Sequence, residues 1–86
     1  YIRQLGRNYN MEEKILTILR DINPYVDIDR TSELIEEEIL DSMGLLLLIT
    51  ELEKEYQIEI SLDDLQADDF ENLDNIVALV KRHLLQ

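Results

Sequence analysis

The sequence predicts a small all-α fold, a bundle of three main helices plus one short helix. Three observations lead there. Apolar residues recur at helical spacing in three separate stretches. No segment alternates apolar and polar residues long enough for a stable sheet. The chain, at 86 residues, has room for one hydrophobic core.

The first helix carries Met11, Ile15, Ile18, Leu19 and Ile22 on one stripe. It should stop near Asn23-Pro24, because the residue before proline resists the α region. Residues 23–40 mix apolar Tyr25, Val26 and Ile28 with Asp27, Asp29 and Arg30, and Thr31 or Ser32 can cap a short turn. We read them as a long loop, ordered by the anchors Leu34, Ile35, Ile39 and Leu40. The second helix runs from Ser42 to Tyr56, with Asp41 or Ser42 as its cap. Leu45, Leu48, Ile49, Leu52 and Tyr56 define its buried stripe. Ile58-Glu59-Ile60 is a brief extended piece. Ser61 with Asp64 resembles a capping box opening a short helix around Leu62–Leu65. Phe70 is a lone aromatic anchor. Asn72 caps a last helix holding Leu73, Ile76, Val77, Val80 and Leu84. Lys81, Arg82 and His83 sit in its final turns, where the helix dipole favours cations.

Composition closes most functional classes. Twenty acidic residues against eight basic ones give a net charge of −12. That charge opposes nucleic acid, whose binding depends on Lys and Arg displacing counterions. It opposes an anionic membrane surface equally. No cysteine is present, so there is no disulfide framework, thiolate metal site or cysteine nucleophile. His83 is the single histidine, and two glycines cannot build a phosphate-cradling loop. Apolar runs such as Leu45 to Ile49 fall far short of the ~20 residues needed to cross a bilayer. We expect a cytoplasmic monomer that is not an enzyme. Residues 1–10 hold two arginines and no acid, which reads as an N-terminal extension, added or frayed, ahead of a start at Met11. The domain proper is then 11–86, with a net charge of −14.

Two features of the second helix carry chemistry. At about 100° per residue, Met43, Leu46 and Leu47 point away from the buried stripe and form a second apolar patch over the first two turns. Such a cluster suits a docking surface. Beside it, Ser42 stands where a long loop meets a helix N-terminus. Unpaired N–H groups and the dipole favour an anion there, so the hydroxyl is well placed to carry a covalently attached phosphate group. The plain alternative is a serine that only caps the helix.

Asp41-Ser42-Met43 at the start of a Leu-rich helix, then Tyr56, Ile58-Glu59-Ile60, an acidic turn, Phe70 and a final helix with Ile76 and Val80, resembles the acyl carrier protein family. The likeness spans roughly residues 11–85. The run Ile39-Leu40-Asp41-Ser42-Met43-Gly44 most resembles the D-alanyl carrier proteins of that family. The resemblance implies that Ser42 receives a 4′-phosphopantetheine arm from coenzyme A, whose thiol carries an acyl or aminoacyl group as a thioester. It implies that Asp41 is needed by the phosphopantetheinyl transferase. The other implied partners are an ATP-dependent acyl or aminoacyl ligase and a downstream acyltransferase or synthase. There are departures. Gly44 and Leu47 stand where many fatty-acid carriers place carboxylates, which moves weight toward an aminoacyl carrier. Ser61 replaces the usual proline.

A rival reading is an acidic helical calcium-binding or protein-interaction module without a prosthetic group. Asp27, Asp29, Thr31, Glu33 and Glu38 occupy the ligand positions of a calcium loop, but Ser32 stands where that loop requires glycine. No metal site is therefore assigned. The other acidic runs read as solvated faces.

Overall fold

A computed structural model describes residues 7–85, with side chains from Met11 onward. Three α-helices form the frame: α1 (Arg7–Ile22), α2 (Ser42–Tyr56) and α3 (Leu73–Leu84). Two short 3₁₀ turns, Leu62–Asp64 and Ala67–Phe70, join α2 to α3 in place of the single short helix expected. No strand occurs among the described residues. The fold is the small all-α bundle that the sequence predicts. α1 takes in residues 7–10 of the expected extension, and residues 1–6 lie outside the described residues.

One core holds the three helices together. α1 contributes Ile15, Leu16 and Leu19, α2 contributes Leu48, Ile49 and Leu52, and α3 contributes Leu73, Ile76, Val77, Leu79 and Val80. Leu16 and Leu79 lie outside the sequence stripes, because each of these helices packs against more than one neighbour. α3 touches α1, α2 and the second 3₁₀ turn, so its buried arc is wider than a one-sided stripe. Leu45 and Tyr56 are only half-buried, and Leu84 is exposed beyond the last packed turn. The Tyr56 hydroxyl is buried without a hydrogen-bond partner among the described residues. Burial, then the Glu55 charge, pushes its phenol up to about 12.

The long segment between α1 and α2 is ordered as expected. Arg20 Nε and Nη2 both donate to the Ile28 carbonyl, and Ile28 is buried. Asp29 Oδ1 accepts from the Thr31 N–H at 2.8 Å and from its hydroxyl at 2.7 Å, an Asx turn. Arg30 ties the loop to α1 through Glu12 and to α3 through Asp74. A single helical turn follows at Leu34–Glu37. The Ile39 N–H reaches the Leu34 carbonyl at 2.9 Å and the Glu38 N–H reaches the Ile35 carbonyl at 3.0 Å. That pattern is a Schellman motif, with Leu34 and Ile39 both buried as its apolar pair. Ile35 therefore faces out and is not the anchor expected.

The motif forces Glu38 to φ 58°, a left-handed conformation that glycine adopts without a Cβ penalty. Glu38→Gly should raise stability by about 1 kcal/mol. It also removes one charge from an acidic run. Chemical denaturation of both proteins checks this, and an unchanged or lower midpoint would contradict it.

Two carboxyl groups shift in opposite directions. The hydrogen bond that protonated Glu71 shares with Asp68, and the charges of Asp68, Glu36 and Glu33, hold Glu71 above the usual carboxylate range. The Thr31 and Ser32 hydrogen bonds hold Asp29 below it. A raised carboxyl takes up its proton in the folded state first, so its contribution grows as pH falls from neutral through the folded value. A lowered one stabilises above its unfolded value and loses that contribution as pH falls through the folded value. Stability should thus rise into mild acid and fall in stronger acid. Melting curves across that range check the sign, and Glu71→Gln should flatten the rise.

Candidate functional site

The candidate site lies where α2 begins. Asp41 is its cap: its backbone is extended (φ −99°, ψ −172°), and Oδ1 accepts from the Gly44 N–H at 2.7 Å. The Asp41 carbonyl accepts the next bond, from the Leu45 N–H at 2.8 Å. This settles the choice between Asp41 and Ser42. Ser42 is the first helical residue, exposed, and its hydroxyl makes no hydrogen bond to a described residue. The reading of Ser42 as a mere capping residue is thereby removed. Gly44 is buried against Leu40 and Ile22, so the last turn of α1 closes on the first turn of α2.

The other two serines are placed differently. Ser32 is 7% exposed, and its hydroxyl is bonded to the Asp29 N–H at 2.9 Å. Ser61 is exposed but opens a turn of only three residues. It forms no side-chain cap bond, so the expected Ser61–Asp64 box is absent. A neighbouring turn takes that role: the Gln66 N–H donates to Asp69 Oδ2 at 3.0 Å, and Arg82 holds the same carboxylate. Asp69 is partly buried and can serve both partners, whereas Asp64 is exposed.

Met43, Leu46 and Leu47 are exposed at 65, 52 and 48%, on the face opposite buried Leu48 and Leu52. Leu46 also borders an open apolar cleft of about 430 Å³ beside Ser42. Leu62, Ala67 and Phe70 of the two 3₁₀ turns line it with Leu65 between them, and α2 contributes Leu45 and Ile49. Sequence reading missed this wall. Leu62, Leu65 and Phe70 are spaced by three and then five residues, which fits no single helical or strand period.

The calcium-loop residues do not converge. Asp29 Oδ1 is taken by Thr31, and Glu38 lies beyond the helical turn. Among the described residues no group of three or more His, Asp or Glu could hold a metal ion. His83 Nδ1 lies 2.9 Å from the Leu79 carbonyl, within its own helix. No described helix is long and apolar enough to cross a membrane.

A family model described as a phosphopantetheine attachment site matches residues 13–80, most of the chain. The chain belongs to the phosphopantetheine-binding carrier family. No curated protein matches it. As a member, this carrier holds a covalently attached 4′-phosphopantetheine group and is not itself an enzyme; transferases and other enzymes act on it. The residues fit that group: a serine hydroxyl free of structural bonds stands at the N-terminus of a 15-residue helix, where N–H groups favour a phosphodiester, and an apolar cleft adjoins it.

Between residues 33 and 74 the carrier has fifteen acids and one base, Lys54. Self-repulsion should be large near neutrality, so moderate salt or millimolar divalent ions should raise the melting temperature by screening. A flat response from low to moderate salt would count against this.

Proposed function

We propose that this carrier bears its arm on Ser42 and passes an acyl or aminoacyl group, as a thioester, from an ATP-dependent ligase to an acyltransferase or synthase. The observation that carries the assignment is the unspent, exposed Ser42 hydroxyl one residue after the capping Asp41. Asp41 is the residue on which the phosphopantetheinyl transferase depends. Met43, Leu46 and Leu47 form the docking face for the partners, whose surfaces should add basic groups that match the acidic flank. The protein works as a monomer in the cytoplasm, where coenzyme A and ATP are available.

The Ile39–Gly44 motif supports a D-alanyl or other aminoacyl cargo. The apolar cleft favours a second reading, in which the cargo is an acyl chain that rests on Leu46, Leu62 and Phe70. A direct comparison separates them. Incubate the protein with coenzyme A, magnesium and a broad-specificity transferase, then digest it and locate the added mass. Arm on the Ser42 peptide supports the assignment, and arm elsewhere overturns it. Transfer of acylated arms from acyl-coenzyme A by the same route then tests the cargo. A rise in melting temperature with an apolar acyl group, and none with D-alanine, favours the acyl reading.

A further inference from the structure

We infer that Glu53 is a positioning residue for the side of the cleft that faces α2. The inference rests on the reading in which an acyl group carried on the arm lies in that cleft. Glu53 does not line the cleft; it acts on residues that do, through the chain that leaves α2. The other acids of that helix, Glu51 and Glu55, pair with Lys54 and Lys14 at the surface. Glu53 instead turns back onto the backbone. Its carbonyl accepts from the Gln57 N–H and, at 3.2 Å, from the Ile58 N–H. Its carboxylate oxygen Oε2 accepts from the Ile60 N–H at 2.9 Å. One residue thus takes three N–H groups of the departing chain, which Gln57 reverses in a left-handed conformation (φ 53°, ψ 50°). Ile60 is buried, and a buried N–H that loses its acceptor is costly, so the bond fixes where Ile60 sits.

Ile60 is the near end of the segment that lines the cleft. The 3₁₀ turn Leu62–Asp64 buries none of its own residues and Ser61 gives it no side-chain cap bond, so its ends set its place. At the far end the Gln66 N–H is held by Asp69, which Arg82 of α3 ties down. At the near end Glu53 ties Ile60 to α2. Leu62 and Leu65 hang between these two carboxylate bonds, with Leu46 and Ile49 of α2 on the other side of the cleft. Because the near tie starts on α2 itself, it sets how far Leu62 stands from Leu46. Release of Ile60 would leave Leu62 and Leu65 anchored from α3 alone.

The experiment uses the full chain, carrying either the bare arm from coenzyme A or an octanoyl arm transferred from octanoyl-coenzyme A by a broad-specificity transferase. It reads the rise in melting temperature that the octanoyl group produces and the hydrogen exchange of the Ile60 amide. Glu53→Ala should exchange about tenfold faster at Ile60 and lose most of the octanoyl rise. Glu53→Gln keeps an acceptor oxygen at the same reach without the charge, and should restore both protection and rise. Ile15→Val, a core change in α1 outside the cleft, should lower the melting temperature yet keep the rise, which separates positioning from a general loss of stability. A Glu53→Ala protein that exchanges fast at Ile60 but keeps the full rise would overturn the inference alone. So would a Glu53→Gln protein that is protected at Ile60 and shows no rise. Should Glu53→Ala fail to fold, Glu53→Asp, shorter by one methylene, takes its place under the same criteria. No rise in the unaltered chain would instead refute the cleft reading, and the inference with it.

Discussion

Leu48→Glu should unfold the domain, while Leu47→Glu, one residue earlier, should leave the fold and melting temperature nearly unchanged. The two positions differ by about 100° around α2. Leu48 is fully buried, and Leu47 is 48% exposed. A carboxylate at 48 would sit in the core among Leu52, Ile49 and the α1 and α3 side chains, with no cationic partner assigned there. Burying an unpaired charge and losing the leucine together cost about 4 kcal/mol or more. Small domains have about 5–15 kcal/mol in total. At 47 the loss is limited to partly exposed apolar area and a like-charge pair with Glu51 one turn on, a few tenths of a kcal/mol. The functional consequence is reversed. Leu47→Glu should weaken loading by the ligase, because the change places a charge on the proposed docking face of Met43, Leu46 and Leu47. Circular dichroism melts and a loading assay on the two variants give the comparison. If Leu47→Glu unfolds the protein and Leu48→Glu is tolerated, the phase of α2 and the docking face go together.

Much of this was legible because α2 follows simple rules. Its stripe is phased by Leu48, Ile49 and Leu52, and its limits match the expected Ser42 and Tyr56. What the residues left open was which of two neighbours caps it. Aspartate and serine are equivalent by preference, and only the 2.7 Å bond to Gly44 decides. Asn72 was legible for a similar reason, as it accepts from the Asn75 N–H at 2.9 Å.

The rest depends on contacts that a linear pattern does not carry. Ile35 looked like an anchor because it neighbours Leu34, but a Schellman motif pairs Leu34 with Ile39 and turns Ile35 outward. Glutamate is an unusual residue for the left-handed position that ends this turn, so Glu38 gave no signal. Ser61 and Asp64 have the spacing of a capping box, yet the bond forms at Gln66 and Asp69, where Arg82 of α3 supplies the tertiary tie. The cleft is a product of that tie. It lies between α2 and the 3₁₀ turns, the second of which is held to α3 by Asp69 and Arg82, residues that local patterning treats as separate.

Ser42→Ala is the second variant with a large expected effect, and it is all or none. Three serines are present, and they differ in what they can offer. Ser32 is buried and bonded, so its hydroxyl cannot reach a transferase without unfolding the loop. Ser61 is exposed, but the turn after it is three residues long and opens on Asp63 and Asp64, whose charges oppose a phosphodiester. Ser42 alone joins an exposed, unspent hydroxyl to the start of a long helix. Removing that oxygen removes the nucleophile while the cap at Asp41 and the buried stripe of α2 stay in place, so the fold should be preserved. The decisive measurement is the intact mass of the Ser42→Ala protein after incubation with coenzyme A, magnesium and a broad-specificity transferase, beside the unaltered chain. The account predicts that the unaltered chain gains the mass of one phosphopantetheine arm and that Ser42→Ala gains none while melting at the same temperature. A folded Ser42→Ala protein that still acquires the arm would contradict it.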